Sequence, residues 1–261
     1  MMSFSIVIGA TGVLGEVFSK ELALKGENLY LSGRSIEKLT LLRNKLLDLN
    51  SKIEVKIFAC ELTDFNSVKS LFNDFNFLNA KVSGLYYVSG VDIQKPFIDY
   101  NYDKIIKQAR VNFESALLFT NFALKNKSSD LKILVVSSMC GLLPMPYFAE
   151  YSATKSALIN FFTALRYENK DSKITVLAPG SIPTRPDIIK DIKAQGLTGK
   201  LSIKTPKYVV DKALKALDKN KKICIPGFYN KIVAFFNKIT PNFIKLAIIK
   251  NKFSKKTKDN F

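Results

Sequence analysis

The chain has 261 residues, of which 47% are hydrophobic, so it can bury one sizeable core. It contains no histidine and only three cysteines. This composition excludes His-based catalytic triads and argues against a metal site built from histidine and cysteine ligands. The formal charge of +18 admits nucleic acid, an anionic membrane or an anionic ligand as a partner.

Apolar segments of strand length alternate with segments of helical period along most of the chain. The strand-like segments read, in order, FSIVIGA, NLYLSG, KIEVKIFAC, VSGLYYVSG, LKILVVSS and SKITVLAPG. Continuous Val, Ile and Leu strands that alternate with helices predict a parallel sheet covered on both faces. We therefore expect a single Rossmann-type, doubly wound α/β domain whose ligands lie beyond the carboxyl ends of the strands.

A glycine-rich loop follows the first predicted strand and opens the first predicted helix. In GATGVLG, glycines recur every third residue, at Gly9, Gly12 and Gly15. Glycines there allow a tight turn and the close approach of a pyrophosphate, and the helix N-terminus offers unpaired N–H groups. The pattern predicts dinucleotide binding, with a turn that binds no ligand as the alternative. The predicted contacts are Gly9, Thr11, Gly12, Val13, Leu14 and Gly15.

The end of the second strand distinguishes between the two nicotinamide cofactors. An NAD site places an acidic residue there for the ribose 2′-hydroxyl, whereas the 2′-phosphate of NADP is bound by an arginine. Here Gly33 stands in place of the acid and Arg34 follows it. A guanidinium can bind a phosphate through two hydrogen bonds. We therefore predict NADP(H), and the alternative is that Arg34 is an ordinary surface residue.

Tyr151 and Lys155 stand four residues apart in a segment of helical period, so they share one helix face. The pair is either part of an exposed polar face or a proton-transfer pair in which the ammonium lowers the tyrosine pKa from about 10. The spacing alone does not choose between these interpretations.

Together, the glycine loop, the Tyr-x-x-x-Lys pair and the serines before it resemble the short-chain dehydrogenase/reductase family, from about Ser3 to Pro226. In that family a serine lies thirteen residues before the tyrosine, which is Ser138 here, and an asparagine in the middle helix matches Asn112. The family segment Pro-Gly-x-x-x-Thr appears as PGSIPT. The resemblance therefore implies cofactor contacts at Pro179, Gly180, Ile182 and Thr184, and also at Leu62, Gly90, Tyr151 and Lys155.

The resemblance also implies a role for each member of the catalytic set. Tyr151 would protonate the carbonyl oxygen during reduction, and Ser138 would hold that oxygen. Lys155 would bind the nicotinamide ribose and favour the tyrosinate, while Asn112 would help to hold a proton-relaying water. The expected protein is an NADP(H)-dependent carbonyl reductase or alcohol dehydrogenase that acts on a ketone or secondary alcohol. The resemblance also implies that the protein forms a homodimer or a homotetramer.

Departures from the family pattern keep two other functions open. The Gly-x-x-Gly-x-x-Gly loop is similar to that of extended members, which modify nucleotide sugars. The family's Asn-Asn-Ala-Gly is replaced by YVSG, from Tyr87 to Gly90, so the hydrogen bonds of the asparagines must be replaced or absent. That loss suggests a non-catalytic NADPH-binding sensor or scaffold. Glu61 stands where the family has an aspartate near adenine, which favours the backbone at Leu62 as the contact.

The loop from Leu142 to Phe148 is apolar, and the segment after Thr184 has the composition of a partly helical lid. These features suggest an apolar or acyl-like carbonyl substrate. The alternative is that the apolar residues close the core or an oligomer interface.

The last segment is basic and amphipathic, which divides the chain into a reductase domain, 1–226, and a tail, 227–261. Eleven lysines and no acidic residue lie between Lys219 and Lys258, and lysines recur every seven residues at Lys231, Lys238, Lys245 and Lys252. The pattern predicts helices, broken at Pro241, that suit an anionic membrane surface. The alternative is a hairpin that packs on the protein or on a sister subunit.

Localisation and the remaining partners follow from what the sequence lacks. There is no N-terminal charged region followed by an apolar stretch and a cleavage site, so we expect a cytoplasmic protein, with attachment to the inner face of the membrane as an option for the tail. Few arginines and no recognisable motif argue against nucleic acid as a partner.

Overall fold

The computed structural model of the chain describes residues 1–183, 189, 199, 201–254 and 258–259. Thr184 and most of the segment predicted to be a lid lie outside the described residues. Within these residues there are nine strands: β1 (Ser3–Ile8), β2 (Leu29–Gly33), β3 (Val55–Ala59), β4 (Lys81–Tyr87), β5 (Ile93–Gln94), β6 (Lys127–Val136), β7 (Lys173–Leu177), β8 (Ile223–Cys224) and β9 (Lys258–Asp259).

Seven of the strands form one parallel sheet in the order β3-β2-β1-β4-β6-β7-β8. The strand order reverses between β1 and β4, which is the switch point of a doubly wound fold. The predicted Rossmann-type architecture is confirmed. The two short strands β5 and β9 pair separately and antiparallel.

Helices connect the strands and cover both faces of the sheet. They are α1 (Val13–Leu24), α2 (Ile36–Leu49), α3 (Phe65–Phe77), α4 (Tyr102–Ala109), α5 (Ser115–Lys125), α6 (Ala149–Glu168), α7 (Pro206–Asp218), α8 (Phe228–Ile239) and α9 (Asn242–Phe253). A π-helical turn, Arg110–Glu114, joins α4 to α5, and a 3₁₀ turn, Met139–Leu142, follows β6.

Two apolar clusters form the core, one on each face of the sheet. Along β1, Val7 belongs to one cluster and Ile6 and Ile8 to the other, because successive side chains of a strand point to opposite faces. All three are fully buried. Each such side chain contributes roughly 1.5–3 kcal/mol of burial free energy, so the sheet is held from both sides.

The parallel arrangement brings the ends of distant sequence segments to one edge. The carboxyl ends of β1, β2, β3, β4, β6 and β7 all open on the same edge of the sheet. The segments that leave these ends carry the predicted site residues, beginning with the glycine loop after β1 and ending with the Pro-Gly turn after β7.

The helices that follow the sheet match the sequence pattern in part. Thr205 caps α7 by accepting a hydrogen bond from Tyr208 N at 3.3 Å, and the helix break at Pro241 separates α8 from α9, as predicted. Lys231 and Lys238 are exposed, but Lys245 is half-buried, and its ammonium donates to the carbonyl oxygen of Asn237 at 2.8 Å. Lys245 therefore does not belong to an outward basic face. Among the described residues, no helix is both long enough and apolar enough to cross a membrane.

Candidate active site

The glycine loop is tightly packed at two of its glycines and open at the third. Gly9 has a φ of 84°, and a Cβ there would lie 2.6 Å from Ser89 Oγ. A Cβ on Gly15 would lie 2.1 Å from the carbonyl oxygen of Gly9, whereas the nearest atom to a Cβ on Gly12 would be 3.4 Å away. Only glycine fits at the first two positions, and the surface over Gly12 is free to receive a ligand.

The start of α1 has the features of an anion site. Gly12 is the N-cap, no side chain caps the helix, and Gly12 and Val13 are exposed. The N–H groups of the first turn therefore remain available to an anion and carry the positive end of the helix dipole. Thr11 and Leu14 are half-buried, and Leu14 packs on the core. These residues fit the pyrophosphate of a dinucleotide.

Arg34 lies beside this loop at the end of β2. A Cβ on the adjacent Gly33 would be 3.0 Å from Thr11 Oγ1, so the two loops are in contact. Arg34 is exposed, and no hydrogen bond or ion pair joins it to the part of the chain that the structure describes. Its guanidinium is thus available for an external phosphate.

Tyr151 and Lys155 lie on the first two turns of α6. Lys155 is 3% exposed, and its Nζ lies 5.8 Å from the centroid of the Tyr151 ring and donates to the carbonyl oxygen of Val136 at 3.0 Å. Burial lowers the pKa of Lys155 to about 8, and the negative charge of Asp92 opposes this shift. Lys155 is therefore enclosed in the protein, whereas Tyr151 beside it is half-buried, so the pair is not part of a fully solvated helix face. No motif in the sequence singled out Asp92.

The two serines at the end of β6 have different environments. Ser137 is 2% exposed, and its hydroxyl donates to the carbonyl oxygen of Lys155 at 2.7 Å. Ser138 is half-exposed and caps the 3₁₀ turn, where its Oγ accepts from Cys140 N at 3.1 Å. The hydroxyl proton of Ser138 remains available to donate to a ligand, because the bond to Cys140 uses only a lone pair.

Asn112 joins three segments of the site. It is fully buried in the π-helical turn, where its Oδ1 accepts from Val91 N at 2.8 Å and its Nδ2 donates to Val91 O at 2.9 Å and to Thr154 Oγ1 at 3.3 Å. A Cβ on Gly90 would lie 3.0 Å from Lys155 Nζ and 3.5 Å from Asn112 Oδ1. Gly90, Asn112 and Lys155 therefore meet at one point, where a side chain larger than that of glycine would press on Lys155 Nζ.

The replacement of the family's asparagines after β4 is compensated by Tyr87. Its side chain is fully buried, and its hydroxyl donates to the carbonyl oxygen of Val111 at 2.6 Å. This bond ties β4 to the π-helical turn that carries Asn112. The hydrogen bonds expected to be either replaced or absent are thus replaced in part by a tyrosine.

On the side of the site predicted for adenine, the carboxylate of Glu61 is hydrogen-bonded within its own turn. Its Oε1 accepts from the backbone N–H and the hydroxyl of Thr63, at 3.1 and 2.8 Å. The carbonyl oxygen of Leu62 accepts from Ser115 Oγ at 2.9 Å. These bonds leave the Leu62 backbone N–H, and not the Glu61 carboxylate, as the better candidate for a contact.

The Pro-Gly turn after β7 contacts α8 through a residue that sequence reasoning missed. A Cβ on Gly180 would lie 2.7 Å from Asn230 Nδ2. Asn230 is 1% exposed and donates to the carbonyl oxygens of Pro226 and Ser202 at 2.8 and 3.1 Å. An asparagine among lysines and aromatic residues carried no signal for this role. Asn230 thus ties the first turn of α8 to the segments at Pro226 and Ser202 and packs against the Pro-Gly turn.

The other predicted residues of this turn lie at the same sheet edge. The carbonyl oxygen of Pro179 accepts from Met139 N at 3.0 Å, which joins the turn to the segment after Ser138. The side chain of Ile182 is buried in the core. Thr184 lies outside the described residues.

Glu150 is another residue that the sequence did not reveal. It precedes Tyr151 at the start of α6, and both of its carboxylate oxygens are buried. Burial raises the pKa of Glu150 to about 7. A glutamate in the first turn of a helix ordinarily serves the helix dipole, so nothing in the sequence marked it as unusual.

Comparisons with known proteins agree with this geometry. A model of the short chain dehydrogenase family matches residues 4–195. An 11-beta-hydroxysteroid dehydrogenase-like 2 from Arabidopsis thaliana is 30% identical over 182 residues, 69% of this chain and 59% of that protein. A very-long-chain 3-oxoacyl-CoA reductase from Aspergillus oryzae is 28% identical over 181 residues, 67% of this chain and 51% of that protein. The chain thus spans a little more than half the length of these two relatives.

The fold has a solved counterpart. The structure of a 7beta-hydroxysteroid dehydrogenase superposes with a TM-score of 0.82 at 21% identity, covering 95% of this chain and 96% of that one. At this identity the likeness concerns the fold alone. The family match covers well over half of the chain, and it includes the glycine loop, Ser138, Tyr151 and Lys155. The chain therefore belongs to the short-chain dehydrogenase family of oxidoreductases.

Proposed function

We propose that the protein is an NADP(H)-dependent oxidoreductase that interconverts an apolar ketone and the corresponding secondary alcohol. The observation that carries the proposal is the meeting of Asn112, Lys155 and Gly90 beside Tyr151 and Ser138, at the sheet edge that also bears the glycine loop. Bound NADP(H) supplies or accepts the hydride in such a site.

The residues of the site have complementary tasks. Tyr151 donates a proton to the carbonyl oxygen as it gains negative charge, and the nearby ammonium of Lys155 favours the tyrosinate that remains. With a pKa of about 8, Lys155 is largely charged at neutral pH. Ser138 donates its hydroxyl proton to the same carbonyl oxygen. Preorganised donors of this kind are worth about 2.7–4 kcal/mol each in other enzymes.

Asn112 positions Lys155 indirectly, through its hydrogen bonds to the backbone of Val91. Its amide holds Val91 and Thr154 together, which fixes the loop after β4 against α6. In this way Gly90 is kept against Lys155 Nζ. The water-holding role implied by the family resemblance stays a prediction for Asn112.

The preference for NADP(H) rests on Arg34. The guanidinium is exposed beside the glycine loop, and the position before it is a glycine where an NAD site would have a carboxylate. A charge-assisted bond to the 2′-phosphate contributes about 1.5–3 kcal/mol, or roughly 10- to 100-fold in affinity.

The apolar substrate is supported by a cavity next to the catalytic serine. It has a volume of about 240 Å³ and begins at Met139, the residue after Ser138. The surface that lines it is mostly apolar, although three polar residues also reach it. The apolar lining includes Leu142, Leu143, Val233, Phe236 and Ile249, and the polar residues are Asn237, Thr240 and Lys245. The relatives named for hydroxysteroids and very-long-chain acyl groups also handle large apolar molecules. The homodimer or homotetramer and the cytoplasmic compartment stay predictions.

The cofactor is tested by titrating the purified protein with NADPH and with NADH and following fluorescence. We expect a preference for NADPH that Arg34→Ala reduces by roughly 10- to 100-fold, with no change for NADH. Lys52→Ala, which removes an exposed cation elsewhere, is the matched control and should bind both cofactors as the wild type does. Equal affinity for the two cofactors, or an unchanged preference in Arg34→Ala, would contradict the assignment.

Turnover is tested by following NADPH consumption with steroid ketones, acyl ketones and small water-soluble ketones. Tyr151→Phe should abolish turnover and leave NADPH affinity within about twofold, because the hydroxyl acts on the substrate. Tyr167→Phe, at an exposed position, is the control. If the wild type binds NADPH but reduces no ketone, the interpretation as a cofactor-binding sensor or scaffold replaces this one.

A further inference from the structure

The last two helices carry a stripe of exposed apolar side chains. Along α8 it consists of Phe228, Ile232, Phe235 and Ile239, which are spaced three or four residues apart and therefore share one face. Phe228 is 79% exposed, and Phe235 and Ile239 are each 61% exposed. Phe243, at the start of α9 and two residues beyond Pro241, is 75% exposed. So many exposed large apolar groups in one place mark a surface that binds a partner.

The charged side chains on these two helices are of one sign. No acidic residue occurs between Lys219 and Lys258, and Lys231, Lys238 and Lys250 are exposed on the same two helices. An amphipathic helix with lysines beside large apolar side chains is suited to the boundary between anionic headgroups and acyl chains. A partner protein would have to offer an acidic apolar groove of matching length, whereas an anionic bilayer offers both features everywhere.

The same helices are joined to the candidate active site. Asn237 Nδ2 on α8 donates to the carbonyl oxygen of Leu142 at 2.8 Å, in the 3₁₀ turn that Ser138 caps. At the end of α9, Phe253 packs edge-on against Phe148, with ring centroids 5.9 Å apart, and Phe148 packs against Tyr151 at 5.7 Å. The hairpin formed by α8 and α9 is therefore connected to Tyr151 through a single aromatic ring, that of Phe148.

The apolar cavity lies between the hairpin and the turn after Ser138. Its walls come from Met139, Leu142 and Leu143 on one side and from both helices on the other. Phe236 lines the cavity and is also 55% exposed at the surface, next to Phe235 of the stripe. The cavity and the apolar stripe are thus the inner and outer sides of the same two helices.

We infer that α8 and α9 dock on an anionic lipid bilayer and that the apolar substrate reaches the cavity from the bilayer between these helices. The docking surface consists of Phe228, Ile232, Phe235, Ile239 and Phe243 with the exposed lysines around them. The part of the inference that concerns substrate access rests on the proposed function, whereas docking does not.

Docking is tested by sedimenting the full-length protein with vesicles of phosphatidylcholine alone or mixed with phosphatidylserine. We expect binding to the mixed vesicles only. The combined variant Phe235→Ser, Ile239→Ser, Phe243→Ser should lose it, and these three residues do not line the cavity. Lys231→Gln with Lys238→Gln should weaken binding by roughly 25-fold, about fivefold for each lysine. Phe77→Ser, at an 88% exposed position on α3, is the matched control and should bind as the wild type does.

Three results would overturn docking: equal binding to neutral and anionic vesicles, unchanged binding by the apolar variant, or an oligomer without lipid that the apolar variant dissociates. The last result would make the stripe a subunit interface. Unchanged thermal unfolding and NADPH affinity in the variants would show that they remain folded.

Substrate access is tested separately, in reductase assays with and without mixed vesicles. For an apolar ketone dissolved in the vesicles, we expect KM for the wild type to be at least fivefold lower than for the apolar variant. For a water-soluble ketone, KM should be equal in the two proteins. Equal KM values for the apolar ketone would overturn access from the bilayer. A protein that binds vesicles but has no turnover would instead contradict the proposed function and leave docking standing.

Discussion

Replacing Gly15 and Gly12 by alanine, one at a time, separates the folding of the glycine loop from its binding of a cofactor. A Cβ on Gly15 would lie 2.1 Å from the carbonyl oxygen of Gly9 and 2.8 Å from Ala10 Cα. Ordinary contact begins near 3.4 Å, so the loop and α1 must separate by roughly 1.3 Å. Overpacking of this kind costs about 1–3 kcal/mol. We therefore expect Gly15→Ala to lower the free energy of unfolding by that amount.

Gly12→Ala has a different expected outcome. Its φ of −82° is open to any residue, and a Cβ meets only one atom, at 3.4 Å. The free energy of unfolding should fall by no more than about 1 kcal/mol, the typical difference between N-cap residues. If a pyrophosphate crosses this loop, however, the new methyl group occupies its place, and NADPH affinity should fall by more than tenfold.

The assay is urea unfolding without cofactor, followed by NADPH titration under conditions in which both variants are folded. Gly12→Ala that binds NADPH as tightly as the wild type would refute the placement of the pyrophosphate over Gly12. Gly15→Ala with wild-type stability would refute the packing argument. The two results are independent, because the first concerns an external ligand and the second an internal contact.

Three further changes test individual side chains. Lys155 loses its charge as the pH rises through about 8. In titrations at increasing pH, the affinity of the wild type for NADPH should therefore fall above pH 8, by up to tenfold per pH unit. The affinity of Lys155→Met should not change with pH in this range. Tyr87→Phe removes the buried donor to Val111 O and should lower the free energy of unfolding in urea by about 1–3 kcal/mol, whereas Tyr167→Phe, at the surface, should change it by less than about 0.5 kcal/mol. Burial raises the pKa of Glu150 from 4.5 to about 7, so its ionisation destabilises the folded state as the pH rises between these values. Above pH 7, the free energy of unfolding of Glu150→Gln should accordingly exceed that of the wild type by about 1 kcal/mol, a value reduced for a half-exposed group. Below pH 4.5, the two proteins should unfold with equal free energies.

The fold could be predicted from the sequence because its determinants are local. Each strand-length run of Val, Ile and Leu is followed by a helix with an apolar face, and a parallel sheet is the arrangement that buries all of them. The glycine loop, Ser138, Tyr151 and Lys155 follow from this topology, since each lies at or after the carboxyl end of a strand. Their placement at one edge of the sheet is a consequence of strand order.

Other contacts could not be predicted because they join segments whose relative position depends on tertiary packing. The bond from Tyr87 to the carbonyl oxygen of Val111 depends on where the π-helical turn lies, and the sequence gives no sign of that turn. Lys245 kept the seven-residue spacing of the other lysines, yet it folds back on Asn237 at the helix break. Periodicity predicts the face of a straight helix, and it fails where two helices meet at an angle.

The two serines that follow β6 differ in their contacts, and this difference separates their roles in the proposed mechanism. The carbonyl oxygen of Val136 holds Lys155 Nζ, and the hydroxyl of Ser137 holds the backbone of the same lysine. Ser137 is therefore consumed by positioning, and its burial keeps it from a substrate. Ser138, one residue further along an extended chain, points the other way, is half-exposed, and keeps its hydroxyl proton for a ligand. In the proposed mechanism, this alternation gives one serine to the lysine and the next to the carbonyl oxygen of the substrate. Ser137→Ala should accordingly change the position of Lys155 and lower both NADPH affinity and turnover. Ser138→Ala should lower turnover and leave NADPH affinity unchanged.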